Sequence, residues 1–145
     1  MLNCGAKGQT IVLATRNPHK LREIREILGW PGLIVKSLDS FPYVPPVREG
    51  SMSFYDNAFR KALAAARHTG LVAVADDSGL EVDCLQGRPG VYSARYAGED
   101  ADDLANNRRL LDDMAGIPPA QRSASFICWV VAANALGQIL SAKGE

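Results

Sequence analysis

The residues best suited to chemistry are a few carboxylates and amines. Asp76 and Asp77 stand side by side and lead into Ser78 and Gly79. Two adjacent carboxylates after a buried strand repel each other unless something positive neutralises them. A magnesium ion held by one or two carboxylates and by substrate phosphates supplies that charge. One carboxylate can then accept a proton from attacking water. Asp, Ser and Gly are also turn formers, so a plain turn accounts for everything here except the second aspartate.

Two further groups of residues could meet a polyanion. Between Thr15 and Lys20 a strand hands over to a helix, whose unpaired N–H groups and positive dipole end suit a phosphate. Thr15 and Asn17 offer short polar groups there, and Lys20 adds a charge in the first turn. A capped helix with a solvated lysine is the plainer alternative. The glycines and the Gly-Lys-Ser/Thr ending of a Walker loop are missing. Asn57 and Lys61 are four residues apart and share one helical face, which could present a donor and a cation to phosphate. Glu49, in the loop before them, could add a third carboxylate for a metal. Read alone, that helix face is more simply a solvated one. His19 and His68 have no second histidine at ligand spacing, and His68 suits a helix C-terminus. Asp100, Asp102, Asp103, Asp112 and Asp113 read as a solvated helix face.

These residues need a scaffold, and the apolar pattern supplies one. Thr10–Ala14 is a short apolar run with β-branched content, hence a strand. Asn17 caps a helix with Pro18 at its first position, Leu21, Ile24, Ile27 and Leu28 recur at helical spacing, and Gly29 ends it. Leu33–Val35 is a second strand, and 39–51, with three prolines, is a loop. A helix begins at Ser53, with Asp56 as capping acid and Phe54, Ala58, Ala62 and Ala65 as its apolar face; Gly70 ends it. Leu71–Ala75 is apolar throughout, which predicts a strand buried on both faces. It is followed by a turn at Asp76–Gly79 and a short strand at Leu80–Val82. A third helix carries Leu104, Leu110, Leu111 and Met114 and closes near Gly116. Ser125–Val131, with Trp129 in the core, pairs with a strand starting at Ile139 after a turn at Gly137. Strands alternating with helices, then a late hairpin, predict a mixed α/β domain.

Composition narrows the functional classes. The chain has 145 residues, enough for one domain with a real core. Sixteen Lys and Arg balance sixteen Asp and Glu, so no global field holds a nucleic acid or an anionic membrane. Any phosphate must be bound by local geometry. Cys4, Cys84 and Cys128 are too far apart for a CxxC knuckle, which predicts reduced thiols. Met1–Thr10 has no signal-peptide pattern and no apolar run spans a bilayer, so a cytoplasmic protein is expected.

Taken in order, the segments resemble the inosine triphosphate pyrophosphatases, which remove non-standard purine nucleotides such as ITP, dITP and XTP. Ala14-Thr15-Arg16-Asn17-Pro18-His19-Lys20 is similar to that family's opening phosphate-binding motif. Ser53-Phe54-Tyr55-Asp56-Asn57-Ala58, followed by Lys61-Ala62, is similar to its second helix. Ala75–Leu80 together with Gly87–Gly98 resembles its longest signature. The order, the spacing and the length of the last segment make the match specific, and it covers Ile11 to Glu145. The resemblance implies an elongated, two-lobed homodimer with a mixed central sheet, flanking helices and a cleft. It implies hydrolysis between the α and β phosphates, giving a nucleoside monophosphate and pyrophosphate. Thr15, Asn17, Lys20 and Lys61 would hold the triphosphate, helped by Ser78 and Gly79. Asp77 would be the general base and lie near the metal, and Glu49 and Asp76 would complete the magnesium site.

Two departures bear on these expectations. The family carries glycine three residues before the helix-opening phenylalanine, where this chain has Ser51, with Gly50 beside it; the Glu49 loop is thereby expected to be shifted. Family members also continue through a Gly-Phe-Gly-Tyr-Asp-Pro segment and a later Ser-His-Arg that read the purine. The chain given ends at Gly144-Glu145, so residues 1–145 are expected to form a single, incomplete domain with a phosphate and metal half but no base-reading half. The rival expectation is a weak or inactive nucleotide-binding or oligomerisation module. A pyrophosphatase of modified pyrimidines is a second rival, but its Ser-Pro-Arg opening does not match Thr15-Arg16-Asn17-Pro18.

Overall fold

The computed structural model describes residues 8–48, 50 and 53–145. Five strands, β1 (Gln9–Leu13), β2 (Leu33–Ser37), β3 (Val72–Val82), β4 (Ala124–Ala133) and β5 (Ile139–Gly144), form one sheet in the order β2-β1-β3-β4-β5. β1 is parallel to both β2 and β3, whereas β3–β4 and β4–β5 are antiparallel. Among the described residues three α-helices accompany them: α1 (Pro18–Leu28), α2 (Phe54–Thr69) and α3 (Asp103–Asp113). This is the mixed sheet with flanking helices that the alternation of apolar runs predicts. Among the described residues no helix is long and apolar enough to cross a membrane.

The helices begin and end where the capping chemistry places them. Asn17 accepts the His19 N–H at 2.9 Å, Pro18 opens α1, and Gly29 closes it in the left-handed region at φ 43°. Ser53 accepts the Asp56 N–H at 3.1 Å, capping α2, and donates its hydroxyl to the Asp56 carboxylate at 2.7 Å. Along α2, Phe54, Asn57, Ala58, Ala62, Ala65 and Ala66 form one buried face. That face divides between two clusters. Ala58 and Ala62 pack with Ala75, Val131 and Ala133, with Tyr55, Phe59 and Trp129 at the margin. Ala65 and Ala66 pack with Val12 and Ala73. Trp129 meets Tyr55 edge-on with centroids 5.3 Å apart.

β3 differs from its prediction in two ways. Asp76–Gly79 is not a turn: one strand runs unbroken from Val72 to Val82. β1 pairs with β3 only as far as Val74, but β4 ladders the whole of Ala73–Val82, setting Asp77 opposite Trp129 and Gly79 opposite Ile127. The turn propensity of Asp, Ser and Gly is a local preference, and a continuous antiparallel partner outweighs it. Nor is β3 buried on both faces. Ala73 and Ala75 are buried beneath α2, while Val72 on the other face is exposed. The acidic positions around α3 also do more than meet solvent. Asp102 caps the helix through the Ala105 N–H at 2.7 Å, and Asp113 accepts a hydrogen bond from Tyr96.

Gly79 is where β3 is approached most closely. A Cβ there would lie 2.6 Å from both the Gly90 carbonyl oxygen and the Ser93 hydroxyl, and 3.0 Å from the Phe54 ring. Two of these neighbours are backbone or locally pinned groups, so the space cannot open without moving chain. Gly79→Ala is therefore expected to lower stability by about 1–3 kcal/mol. Urea denaturation should give a lower midpoint at an unchanged slope; an unchanged midpoint would refute the packing described.

Candidate functional site

The strand order places a topological switch beside β1. From β1 the chain passes through α1 to β2 on one side, then through α2 to β3 on the other. Open α/β sheets bind ligands at the carboxyl ends of strands where such a reversal opens a crevice. Here β1 stops first. Ala14 N–H makes a last bond to the Val74 carbonyl at 2.7 Å, and the chain then leaves through Thr15–Asn17. β3 runs on past this exit, which puts Asp76 and Asp77 just beyond the point where β1 leaves the sheet.

Successive residues of a strand point to opposite faces, so the adjacent carboxylates part company. Asp76 meets Lys20 of α1, Nζ to Oδ2 at 2.6 Å. Asp77 meets two residues of α2: Asn57 Nδ2 donates to its Oδ2 at 2.9 Å, and Lys61 Nζ lies 3.7 Å from its Oδ1. Among the described residues, an ammonium on each face of the sheet meets the pair, Lys20 at Asp76 and Lys61 at Asp77. The Asp77–Lys61 pair is the more enclosed, with side chains 13% and 19% exposed against 27% and 42% for Asp76 and Lys20. Screening by water is weaker there, and each partner depends more on the other.

The remaining predicted residues gather round these pairs. The Thr15 hydroxyl accepts the Asn17 N–H at 3.1 Å. Asn17 spends its carbonyl oxygen on the helix cap, and its amide nitrogen is the group it could turn to a phosphate. Thr15 and Lys61 line one hollow of about 190 Å³ with Ala14, Val44 and Pro45. Ser78 and Gly79 follow directly along β3, Gly79 buried against the Gly90 carbonyl. Asn57 is buried and bonded to Asp77 and to the backbone of Gly50. Glu49 and Ser51 lie outside the described residues. Among those described, no group of three His, Cys, Asp or Glu could hold a metal. Asp76 and Asp77 offer hard carboxylate oxygens, the donor type that suits magnesium.

Sequence reasoning missed the residues that hold the long glycine-rich segment in place. The Ser93 hydroxyl accepts the Leu80 N–H at 2.9 Å and donates to the Gly90 carbonyl at 2.6 Å, tying the segment to β3. Asn106, buried on α3, donates to the Ala94 carbonyl at 3.0 Å and accepts the Ala97 N–H at 2.8 Å. Nothing local marks Asn106 among the polar residues of its helix. Arg16 bonds Asp39 and the Val44 carbonyl, both at 3.1 Å, and so braces the wall of the hollow. Cys128 lies on the Asp76 side of the sheet. Burial, and then the Asp76 carboxylate, push its thiol above its ordinary range, so it stays protonated at neutral pH.

Fold and site together define a mixed α/β protein with two ammonium–carboxylate pairs at a sheet switch point. Residues 11–145 match the Ham1 family (Ham1p_like), and the chain belongs to that family. It is 51% identical over 135 residues to the dITP/XTP pyrophosphatase of Desulforamulus reducens, covering 93% of this chain and 67% of that protein. The dITP/XTP pyrophosphatase of Geobacter sulfurreducens is 48% identical over 135 residues, with 93% and 68% covered. Among solved structures, a HAM1 protein from Coxiella burnetii superposes with a TM-score of 0.87 at 38% identity, covering 94% of this chain and 70% of that one. The nucleoside-triphosphatase, or dITP/XTP pyrophosphatase, of Mycobacterium abscessus gives 0.84 at 41% identity, with 94% and 71% covered. The resemblance read from the motifs is thereby borne out. The chain spans about two thirds of the length of these curated relatives.

The bond between Tyr96 and Asp113, 2.5 Å from hydroxyl to carboxylate, makes a pH-dependent latch between the glycine-rich segment and α3. Tyr96 and, less strongly, Arg109 hold the Asp113 carboxyl below its usual range, whereas burial and Asp113 push the Tyr96 phenol up. The Asp113 contribution is complete above the unfolded carboxyl value and is lost as pH falls through the lower folded one. The Tyr96 contribution is complete below the ordinary phenol value of 10.0 and is lost as pH rises through the higher folded one. Tyr96→Phe should therefore melt below the parent protein near neutrality, with the gap closing in strong acid and strong base. A gap constant from pH 2 to 11 in thermal melts would remove the latch.

Proposed function

We propose that this chain hydrolyses noncanonical purine nucleoside triphosphates (ITP, dITP and XTP) to the monophosphate and pyrophosphate, and so cleans the nucleotide pool. The names of the curated relatives of the same family support a pyrophosphatase reaction and, of the three substrates, dITP and XTP. The observation that carries the reading is the Asp77–Lys61 and Asp76–Lys20 arrangement at the end of the parallel strands.

In this reading Lys20, Lys61, Thr15 and Asn17 hold the triphosphate tail, with Ser78 and Gly79 beside it. Lys20 and Lys61 exchange part of their carboxylate contact for charge-assisted hydrogen bonds to phosphate oxygens. Asp77 takes a proton from water as its oxygen bonds to the α-phosphorus. The bond from that phosphorus to the bridging oxygen breaks, and pyrophosphate departs with the electron pair. Positioned ammonium groups stabilise the charge that builds on the phosphate oxygens. Glu49, Asp76 and Asp77 would hold a divalent ion, magnesium by the hardness of its donors. When bound, that ion supplies Lewis acidity at the phosphate oxygens and helps to activate the water. A homodimer working on free nucleotides in the cytoplasm belongs to the same reading, with no role for nucleic acid or membrane.

Pyrophosphate release from ITP, dITP, XTP, ATP and GTP, with and without magnesium, tests the proposal. Magnesium-dependent release from the first three is expected, and Asp77→Asn should lower kcat by about 10²–10⁴-fold. Equal rates for the two proteins would remove Asp77 from its role. Magnesium-dependent ITP binding by calorimetry without turnover would replace the enzyme with a nucleotide-binding module.

A further inference from the structure

The motif resemblance leaves Asn57 without a role of its own, and its helix position suggested a phosphate donor. We infer that Asn57 is instead a positioning residue: its amide sets the orientation of the Asp77 carboxylate and locks it to the loop at Gly50. This rests on the reading of Asp77 as general base.

Burial argues first against phosphate contact, since Asn57 is only 2% exposed. Hydrogen-bond capacity argues further. A carboxamide has two N–H groups and one oxygen. Here Nδ2 donates to Asp77 Oδ2 at 2.9 Å and approaches the Gly50 carbonyl at 3.4 Å, while Oδ1 accepts the Gly50 N–H at 3.0 Å. Turning the amide to a ligand would leave the half-buried Gly50 N–H and the enclosed Asp77 carboxylate without this partner, which costs more than a new surface contact returns.

The same geometry explains what Asn57 can do. The last torsion of an aspartate is soft and nearly two-fold, so rotamer preference alone does not fix the plane of its carboxylate. A donor rooted on a packed helix, bonded to one oxygen, does fix it. Asn57 sits between Phe54 and Ala58 on the buried face of α2, and its two contacts with Gly50 hold the amide from turning. One side chain therefore joins three elements at the site: α2, the loop before it and β3.

The test uses the full chain with Asn57→Asp and Asn57→Ala. Asn57→Asp keeps the shape and can still accept the Gly50 N–H, but it cannot donate to Asp77 and sets a like charge beside it. In both variants kcat for ITP with magnesium should fall about 10²-fold, the scale of a misplaced reacting group, while KM stays within about threefold. A raised KM with kcat retained would make Asn57 a substrate ligand and overturn the inference. So would parental kcat and KM with only a lowered melting temperature. A readout independent of turnover is exchange of the Asn57 side-chain amide protons by NMR. They should exchange slowly in the parent and faster in Asp77→Ala, and equal exchange in the two would also overturn the inference. If the parent released no pyrophosphate, the proposed function would fall, and the amide exchange would still decide whether Asn57 and Asp77 are coupled.

Discussion

Two negative charges on neighbouring residues of a strand cannot share one environment, because the pleat sends them to opposite sides. That constraint organises this protein. Asp76 and Asp77 each need a cation, and the fold must bring one from each face of the sheet. It does so with Lys20 from the helix that follows β1 and Lys61 from the helix that precedes β3. The switch in strand order makes both helices available at the same place. β1 stops pairing with β3 at Val74, and β4 keeps β3 extended through both aspartates.

The packing of α2 serves the same end. Its inner face is mostly alanine, with Ala58, Ala62, Ala65 and Ala66 set against Val12, Ala73, Ala75 and Val131. Small residues let the helix lie close to the sheet, and closeness lets so short a side chain as Asn57 reach Asp77. A larger residue at Ala58 or Ala62 would lift the helix and open that gap. The core is thus tuned in volume to a polar contact at its margin, as expected where interiors are close-packed and transmit small displacements.

The glycine-rich stretch from Gly87 to Gly98 is held with similar care. Gly79 lets it lie directly on β3, Ser93 stitches it there, and Asn106 and Asp113 fasten it to α3. Side chains from two elements satisfy its backbone where regular structure does not. The segment beyond Gly79 is therefore an ordered surface, built round a single 3-10 helix, Gly90–Arg95.

Much of this was legible in the order of residues. Asn17, Pro18 and Gly29, then Ser53, Asp56 and Gly70, bound their helices because capping is local chemistry, decided within four residues. The motifs around Thr15, Lys61 and Asp77 each fit a capped helix, a solvated face or a turn, but their order, with the long glycine-rich segment, carried the resemblance to the family. The tertiary structure decided what depends on a distant partner. Turn formers at Asp76–Gly79 became strand because β4, some fifty residues later, offered a complete ladder. Asn57 turned inward, and Asp102 and Asp113 found donors, because neighbours folded against them. Short-range preferences can be read along the chain, whereas the burial of a polar group is a property of whatever covers it.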